Sequence, residues 1–285
     1  SVARPYILKF ACPDRVGLVA GLAKLMERHD CFIAASRTFG DTETSRFFAR
    51  LVFHGTTDAL PAGLEDDLAE MAHELGADWS VHPEGEAVRT LLMVSKSEHC
   101  ANTLLYAARR GELPIDVVGI VSNNETLKDD FSHWSLPWFH VPVTKETKPD
   151  AEARLFNIVE DTQADLVVLA RYMQVLSDEA CRRLEKRCIN IHHSFLPGFK
   201  GARPYHQAHA RGVKMIGATA HYVTADLDEG PIITQLTEAI DHTFSPADMI
   251  ESGRHLEGNA LLRAVKAHAE HRIFINSGKT VVFAR

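Results

Sequence analysis

The sequence is first narrowed by what it lacks. Its 285 residues contain no apolar run of the roughly 18 that a membrane-crossing helix needs, which predicts no transmembrane segment and no membrane partner. The opening stretch "SVARPYILKF" carries neither a signal-peptide apolar core nor a cleavage site, so a cytoplasmic location is expected. Five cysteines stand scattered at 12, 31, 100, 181 and 188 without a CxxC pair, a pattern of reduced thiols and not of a disulfide framework. Basic charge is scarce. With a formal net charge of -7, the concentrated positive field that phosphate binding requires is missing, and no nucleic-acid partner is expected. Low-complexity segments and repeats of fixed period are absent as well.

Two familiar site motifs are also missing. A GxGxxG should follow the first strand of a dinucleotide-binding unit, yet "VSKSEHC" stands after "VRTLLMV", so a dinucleotide fold is not supported. Sixteen histidines invite a metal reading, and His206 and His209 are spaced i, i+3 on an expected helix, where two ligands share a face. No HExxH is present, however, no cysteine is nearby, and His192 and His193 should diverge in a strand. No metal is expected.

What is present is ample core material, with 45% hydrophobic and 24% charged residues. At roughly 150 residues per domain the length suggests two domains. Residues 1–84 read as a ferredoxin-like βαββαβ unit. "YILKFACP" is a strand ended by proline. "DRVGLVAGLAKLMERHD" follows with Val16, Val19, Leu22, Ala23 and Met26 at helical spacing, and Asp14 is expected as its N-cap. "CFIAASRTFG" and "SRFFARLVFH" are strands joined by the turn "DTET". The helix "AGLEDDLAEMAHELG" should end at Gly76, and "ADWSVHP" closes the unit as a strand.

After the polar linker "EGEA" the pattern changes. Over 88–285, "VRTLLMV", "IDVVGIV", "LPWFHV" and "DLVVLA" are short apolar runs of the buried parallel-strand kind. Helical patterns such as "HCANTLLYAARRG" and "DAEARLFNIVED" lie between them, which predicts a Rossmann-like α/β domain with a mostly parallel sheet.

Chemistry concentrates in "NIHHSFLPGFKG", residues 190–201. In an extended segment Asn190 and His192 project to one side, presenting an amide and an imidazole at a strand end, while His193 should point the other way. Open α/β sheets bind ligands at such ends. Further on, "GATAHYV" and "PIITQL" read as strands, and the loop between them, "TADLDEG", contains Asp226, Asp228 and Glu229. Acidic residues in turns usually solvate or cap. Here two polar loops close one sheet edge, one with an amide-imidazole pair and one with carboxylates.

Together these stretches resemble the catalytic signature of the formyltransferases that use 10-formyltetrahydrofolate: an Asn-x-His, then Ser194, Leu196-Pro197 and Gly201, and Asp228 shortly before Gly-Pro-Ile. "HHSFLP" and "GARPYHQAHARG" narrow the likeness to the formyltetrahydrofolate deformylases, the branch that hydrolyses the formyl group. "CPDRVGLVAGLA" resembles the first strand, loop and helix of an ACT domain, a small-molecule sensing module. An ACT domain ahead of a formyltransferase-like domain is the deformylase arrangement, and Ser95-Lys96-Ser97 replaces the Gly-Ser-Asn phosphate loop of the glycinamide-ribonucleotide transferases.

The resemblance implies roles. Asn190 donates to the oxyanion of the tetrahedral intermediate, His192 stabilises that oxyanion or shuttles a proton, and Asp228 orients His192 and fixes the attacking water. Met173, Gln174, Val175 and Leu176 line the pterin pocket, with Ala225, Asp226, Leu227 and Glu229 as the other wall. Ser177 is expected to cap the helix after "LARYMQVLS". Folate is the substrate, and no cofactor is implied. The deformylase resemblance further implies a homo-oligomer, a tetramer, with control by methionine or glycine, and the ACT likeness implies that such an amino acid would bind near Asp14, Val16 and Gly17. Two other readings compete: formyl transfer to an amine acceptor, and a sensor of folate and amino acid without catalysis.

Overall fold

The structure, a computed structural model, describes residues 3–193, 203–225 and 230–285. It forms two compact units, one of residues up to Glu86 together with Glu270–Arg285, the other Ala87–Ala269.

The first unit runs β1 (Tyr6–Pro13), α1 (Leu18–Arg28), β2 (Phe32–Asp41), β3 (Arg46–His54), α2 (Leu64–Leu75) and β4 (Asp78–Pro83). Its sheet has the order β2-β3-β1-β4, antiparallel throughout. Alternation along the strands sends Leu8, Phe10, Phe47 and Leu51 into one core with Leu22 and Met26 of α1 and Leu64 and Leu68 of α2. Gly76 ends α2 as expected, in the left-handed conformation at φ 64° with its N–H on the Ala72 carbonyl.

The start of α1 differs from the expectation. Its N-cap is Gly17, at φ 92°, and no side chain caps it. Asp14 lies ahead of the helix, its N–H donating to the Ser45 carbonyl. Its carboxylate sits over Gly40, where an added Cβ would come within 2.7 Å of Oδ2. The left-handed glycine delays the helix, so the buried face is Leu18, Leu22, Leu25 and Met26, while Val16 is 98% and Val19 53% exposed.

The second unit runs β5 (Val88–Val94), α3 (His99–Arg109), β6 (Ile115–Ser122), β7 (Trp138–His140), α4 (Lys148–Thr162), β8 (Leu166–Leu169), α5 (Asp178–Arg183), β9 (Cys188–His192), α6 (Pro204–Arg211), β10 (Met215–Tyr222), β11 (Ile232–Ala239) and α7 (Pro246–Ala269). Its seven strands lie in the order β11-β10-β9-β8-β5-β6-β7. The five from β9 to β7 are parallel, and β10 and β11 add an antiparallel edge. β5 leads to β6 on one side, whereas β8 docks on the other, so the winding reverses between β5 and β8. Ligands bind outside the strand ends at such a switch point. No helix among the described residues is long and apolar enough to cross a membrane.

Residues 270–285 return to the first unit as the hairpin β12 (Ile273–Asn276) and β13 (Lys279–Val282), instead of completing the second as the sequence suggested. Phe274 and Phe283 pack on Phe48 and Ala11, which buries the second face of β1 and β3. Two cations fasten the hairpin. Lys9 Nζ donates to the Ile273 carbonyl at 2.6 Å, and Arg50 Nη2 donates to the Glu270 carbonyl at 2.8 Å.

Candidate active site

The site is built on β9. Asn190 and His192 are half-buried and share a face of the strand, while Ile191 between them is buried on the opposite one. Pairing with β10 sets Asn190 opposite His221 and His192 opposite Thr219, so these side chains join the same face. His221 is buried and donates from Nδ1 to the Tyr222 carbonyl at 2.9 Å. His193 does not turn away from His192. The two rings stack with centroids 5.4 Å apart and planes 11° apart, because β9 ends at His192 and side-chain alternation ends with it.

The chain after β8, residues 170–177, forms the facing wall and is pinned at several points. The Ala170 N–H donates to the Met93 carbonyl at 2.9 Å, and the Met173 N–H donates to Ser95 Oγ at 2.9 Å. Ser95 is buried at the end of β5 and donates in turn to Asn123 Oδ1 at 2.7 Å. At the other end the Ser177 N–H donates to Glu152 Oε2 at 2.7 Å, and its hydroxyl bonds the same carboxylate. Ser177 Oγ also accepts from the Ala180 N–H, so it caps α5 as expected. Burial, reinforced by the Glu152 charge, pushes the Tyr172 hydroxyl up to about 12. Tethered backbone on rigid strands gives a pocket wall that needs little reorganisation on binding.

Between these walls lies a cavity of about 430 Å³, within the ordinary range for a small-molecule site. Asn190 and His192 line it, and so do Met173, Gln174, Val175, Leu176 and Ala225, all named from the sequence. Met173 and Val175 are 61% and 57% exposed, an apolar surface facing an open slot. Asp226, Leu227, Asp228 and Glu229 lie outside the described residues. Arg171, His193 and His221 also line the cavity, and the sequence reading gave them no role there. For His221 the signal was available in the alternation of "AHYV" opposite Asn190; for Arg171 only its position just after a strand end pointed to the site.

His206 and His209, weighed as metal ligands, both lie on α6, where Arg203 Nη2 is 2.9 Å from His206 Nε2. Among the described residues, His99, Cys100 and Glu257 bring potential ligand atoms within 4.8 Å of one another. That carboxylate is already engaged by His99 at 2.6 Å and by Arg171 at 3.5 Å, and burial pushes the Cys100 thiol far above its usual range. A neutral thiol beside an ion-paired carboxylate is a poor cation site.

The formyl transferase family matches residues 88–265. A formyltetrahydrofolate deformylase of Corynebacterium sp. (strain P-1) is 44% identical over 279 residues, covering 97% of both chains. The crystal structure of formyltetrahydrofolate deformylase from Burkholderia mallei ATCC 23344 superposes with a TM-score of 0.95 at 48% identity, over 99% of this chain and 100% of that one. Glycinamide ribonucleotide transformylase 1 from Symbiobacterium toebii is 26% identical with a TM-score of 0.64, covering 71% of this chain and 97% of its own. The full-length likeness is thus to deformylases and the partial one to a transformylase, and the chain belongs to the formyltetrahydrofolate deformylase family.

Proposed function

We propose that this chain hydrolyses 10-formyltetrahydrofolate to formate and tetrahydrofolate. The observation that carries the reading is one cavity lined by Asn190 and His192 on one side and by the apolar residues Met173, Val175 and Leu176 on the other. A flat heterocycle with apolar faces and hydrogen-bonding edges suits apolar side chains beside backbone groups, which leaves its formyl group for the polar strand end.

Each residue then has a task. Water adds to the formyl carbon, and the carbonyl oxygen takes on negative charge. The Asn190 amide donates to that oxyanion. His192 stabilises the same charge or hands a proton to the departing nitrogen; an imidazole can take either state near neutrality. Asp228 orients His192 and holds the water in line. When the carbon–nitrogen bond breaks, the nitrogen leaves protonated as tetrahydrofolate and the carbon leaves as formate. No cofactor enters, since the folate carries the group that reacts. The test is formate release from 10-formyltetrahydrofolate with no amine present. Turnover under those conditions supports the hydrolase, and turnover only with an added amine acceptor turns the reading to formyl transfer.

The first unit is read as an ACT domain that assembles the chain, in the cytoplasm, into a homotetramer and senses an amino acid, methionine or glycine, near Asp14, Val16 and Gly17. Its exposed apolar side chains, Val16, Val19, Phe32 and Phe39, support a role in association. Titrating each amino acid against the activity of the full chain, with sedimentation to follow its mass, tests both parts.

A further inference from the structure

Where the two walls of the cavity meet stands a residue to which the reaction above assigns no task. Arg171 follows the end of β8, two residues beyond Leu169, which pairs with Asn190 of β9. Among the described residues that line the cavity it alone holds a left-handed backbone, at φ 68°. Glycine adopts that conformation freely, whereas a residue with a Cβ keeps it only where its surroundings over-determine it. Here the guanidinium supplies the constraint. Arg171 Nη1 is 3.5 Å from Oε1 of Glu257, a carboxylate of α7 that is only 3% exposed. The other oxygen of that carboxylate, Oε2, is 2.6 Å from His99 Nε2 at the start of α3. The same Arg171 Nη1 is 3.1 Å from His193 Nδ1, one residue past the end of β9. The side chain thus reaches from the end of β8 to the end of β9, and α7 anchors it there.

We infer that Arg171 sets the choice between water and an amine, because its anchored side chain fills space beside Asn190 and His192 that an attacking group larger than water needs. The inference deepens the deformylase reading and rests on it. In that reading the ring lies against Met173, Val175 and Leu176, and the formyl carbon lies beside Asn190 and His192. Arg171 bounds the approach to that carbon between the two walls. It cannot swing aside without taking a cation from a buried carboxylate, a costly loss. Hydrolysis and transfer share their chemistry. The nucleophile's oxygen or nitrogen bonds to the formyl carbon, the carbon–nitrogen bond to the folate breaks, and the folate nitrogen leaves with a proton. Water gives formate, and an amine gives a formamide. The two differ in the bulk carried behind the attacking atom, so a fixed side chain at the approach discriminates by obstruction. The backbone gains nothing from an arginine at φ 68°, where glycine would be unstrained. The side chain is what the position holds at a cost.

The test offers the full chain 10-formyltetrahydrofolate with two nucleophiles that share an attacking nitrogen and differ in bulk, hydroxylamine and O-benzylhydroxylamine. Formate and each formylated product are measured against the uncatalysed reaction. The unaltered chain should formylate the benzyl compound about 10-fold less than hydroxylamine, or less still. Arg171→Gly, which suits the backbone and removes the side chain, should raise the benzyl-to-hydroxylamine product ratio about 10-fold. Arg171→Asn, a second short residue that tolerates the left-handed region, should raise it in the same direction. Arg171→Lys, which keeps a long cation beside Glu257, should leave the ratio within about 2-fold. A site that has merely loosened lowers the yields of both products, so the ratio separates obstruction from damage. Equal formylation of both nucleophiles by the unaltered chain overturns the inference. So does an unchanged ratio in Arg171→Gly and Arg171→Asn chains that fold by circular dichroism, or a rise in Arg171→Lys as large as in Arg171→Gly. If the unaltered chain releases no formate when amines are absent, the deformylase reading fails; if it releases formate and the ratio does not move, only the role of Arg171 fails.

Discussion

The two ends of the seven-stranded sheet carry hollows of similar size and opposite character. At the end where β5, β8 and β9 begin, Arg89, Asp165 and Arg187 line a groove of about 460 Å³. There the cations are occupied by the chain itself: Arg89 Nη2 donates to the Thr162 carbonyl at 2.7 Å, and Arg187 Nη2 donates to the Ala164 carbonyl at 3.3 Å. At the other end a cavity of about 430 Å³ is walled by tethered apolar side chains and faced by an amide and imidazoles. Volume does not tell the two apart. The difference lies in what the polar groups do, since one set bonds the carbonyls that end α4 and begin its following loop while the other lines the cavity at the strand end.

That contrast can be broken or sharpened by substitution. The largest effect is expected at the strand end: Asn190→Ala should lower kcat about 100-fold to 1000-fold in a formate-release assay, the usual loss of one oxyanion donor. Asp228→Asn should lose most of the turnover with the fold intact by circular dichroism, and Asp226→Asn far less. Equal losses in the two aspartate variants mean that the carboxylate has been assigned to the wrong residue. Next comes the apolar wall, where Val175→Asp should raise KM about 10-fold while kcat changes less, read from initial rates against folate concentration. Ser95→Ala deprives the Met173 N–H of its partner and should cost about 1–3 kcal/mol in a denaturant melt, with a matching loss in kcat/KM as the wall loosens. The smallest effect belongs to the opposite end. Arg89→Ala should leave kcat/KM within about 2-fold, because Arg89 closes only its own chain.

Most of this architecture was legible in the sequence, and the exceptions have physical causes. "VRTLLMV" matches β5 residue for residue, because a strand buried on both faces reads as an unbroken apolar run. Gly76 and Ser177 act as caps where local chemistry said they should. Asp14 does not, since Gly17 places the helix start three residues beyond the expected cap and rotates the buried face with it. The hairpin at 273–282 carries no linker composition to separate it from α7, and its true neighbours, Phe48 and Ala11, are more than 200 residues away in sequence. At the site, Asn190 and His192 follow from the period of a strand. His193 escaped that rule because the strand stops one residue earlier, and Glu257 escaped because a buried acid on a long helix has no local signature.

The central claim is that the amide of Asn190 and the imidazole of His192 meet one formyl carbon. A crystal structure of the full chain with a non-hydrolysable 10-formyl folate analogue tests it most directly. The account predicts the formyl oxygen about 2.9 Å from the Asn190 amide nitrogen, His192 beside it, and the ring against Met173 and Val175. An analogue seated elsewhere on the chain, or in this cavity with its formyl group turned away from β9, contradicts it.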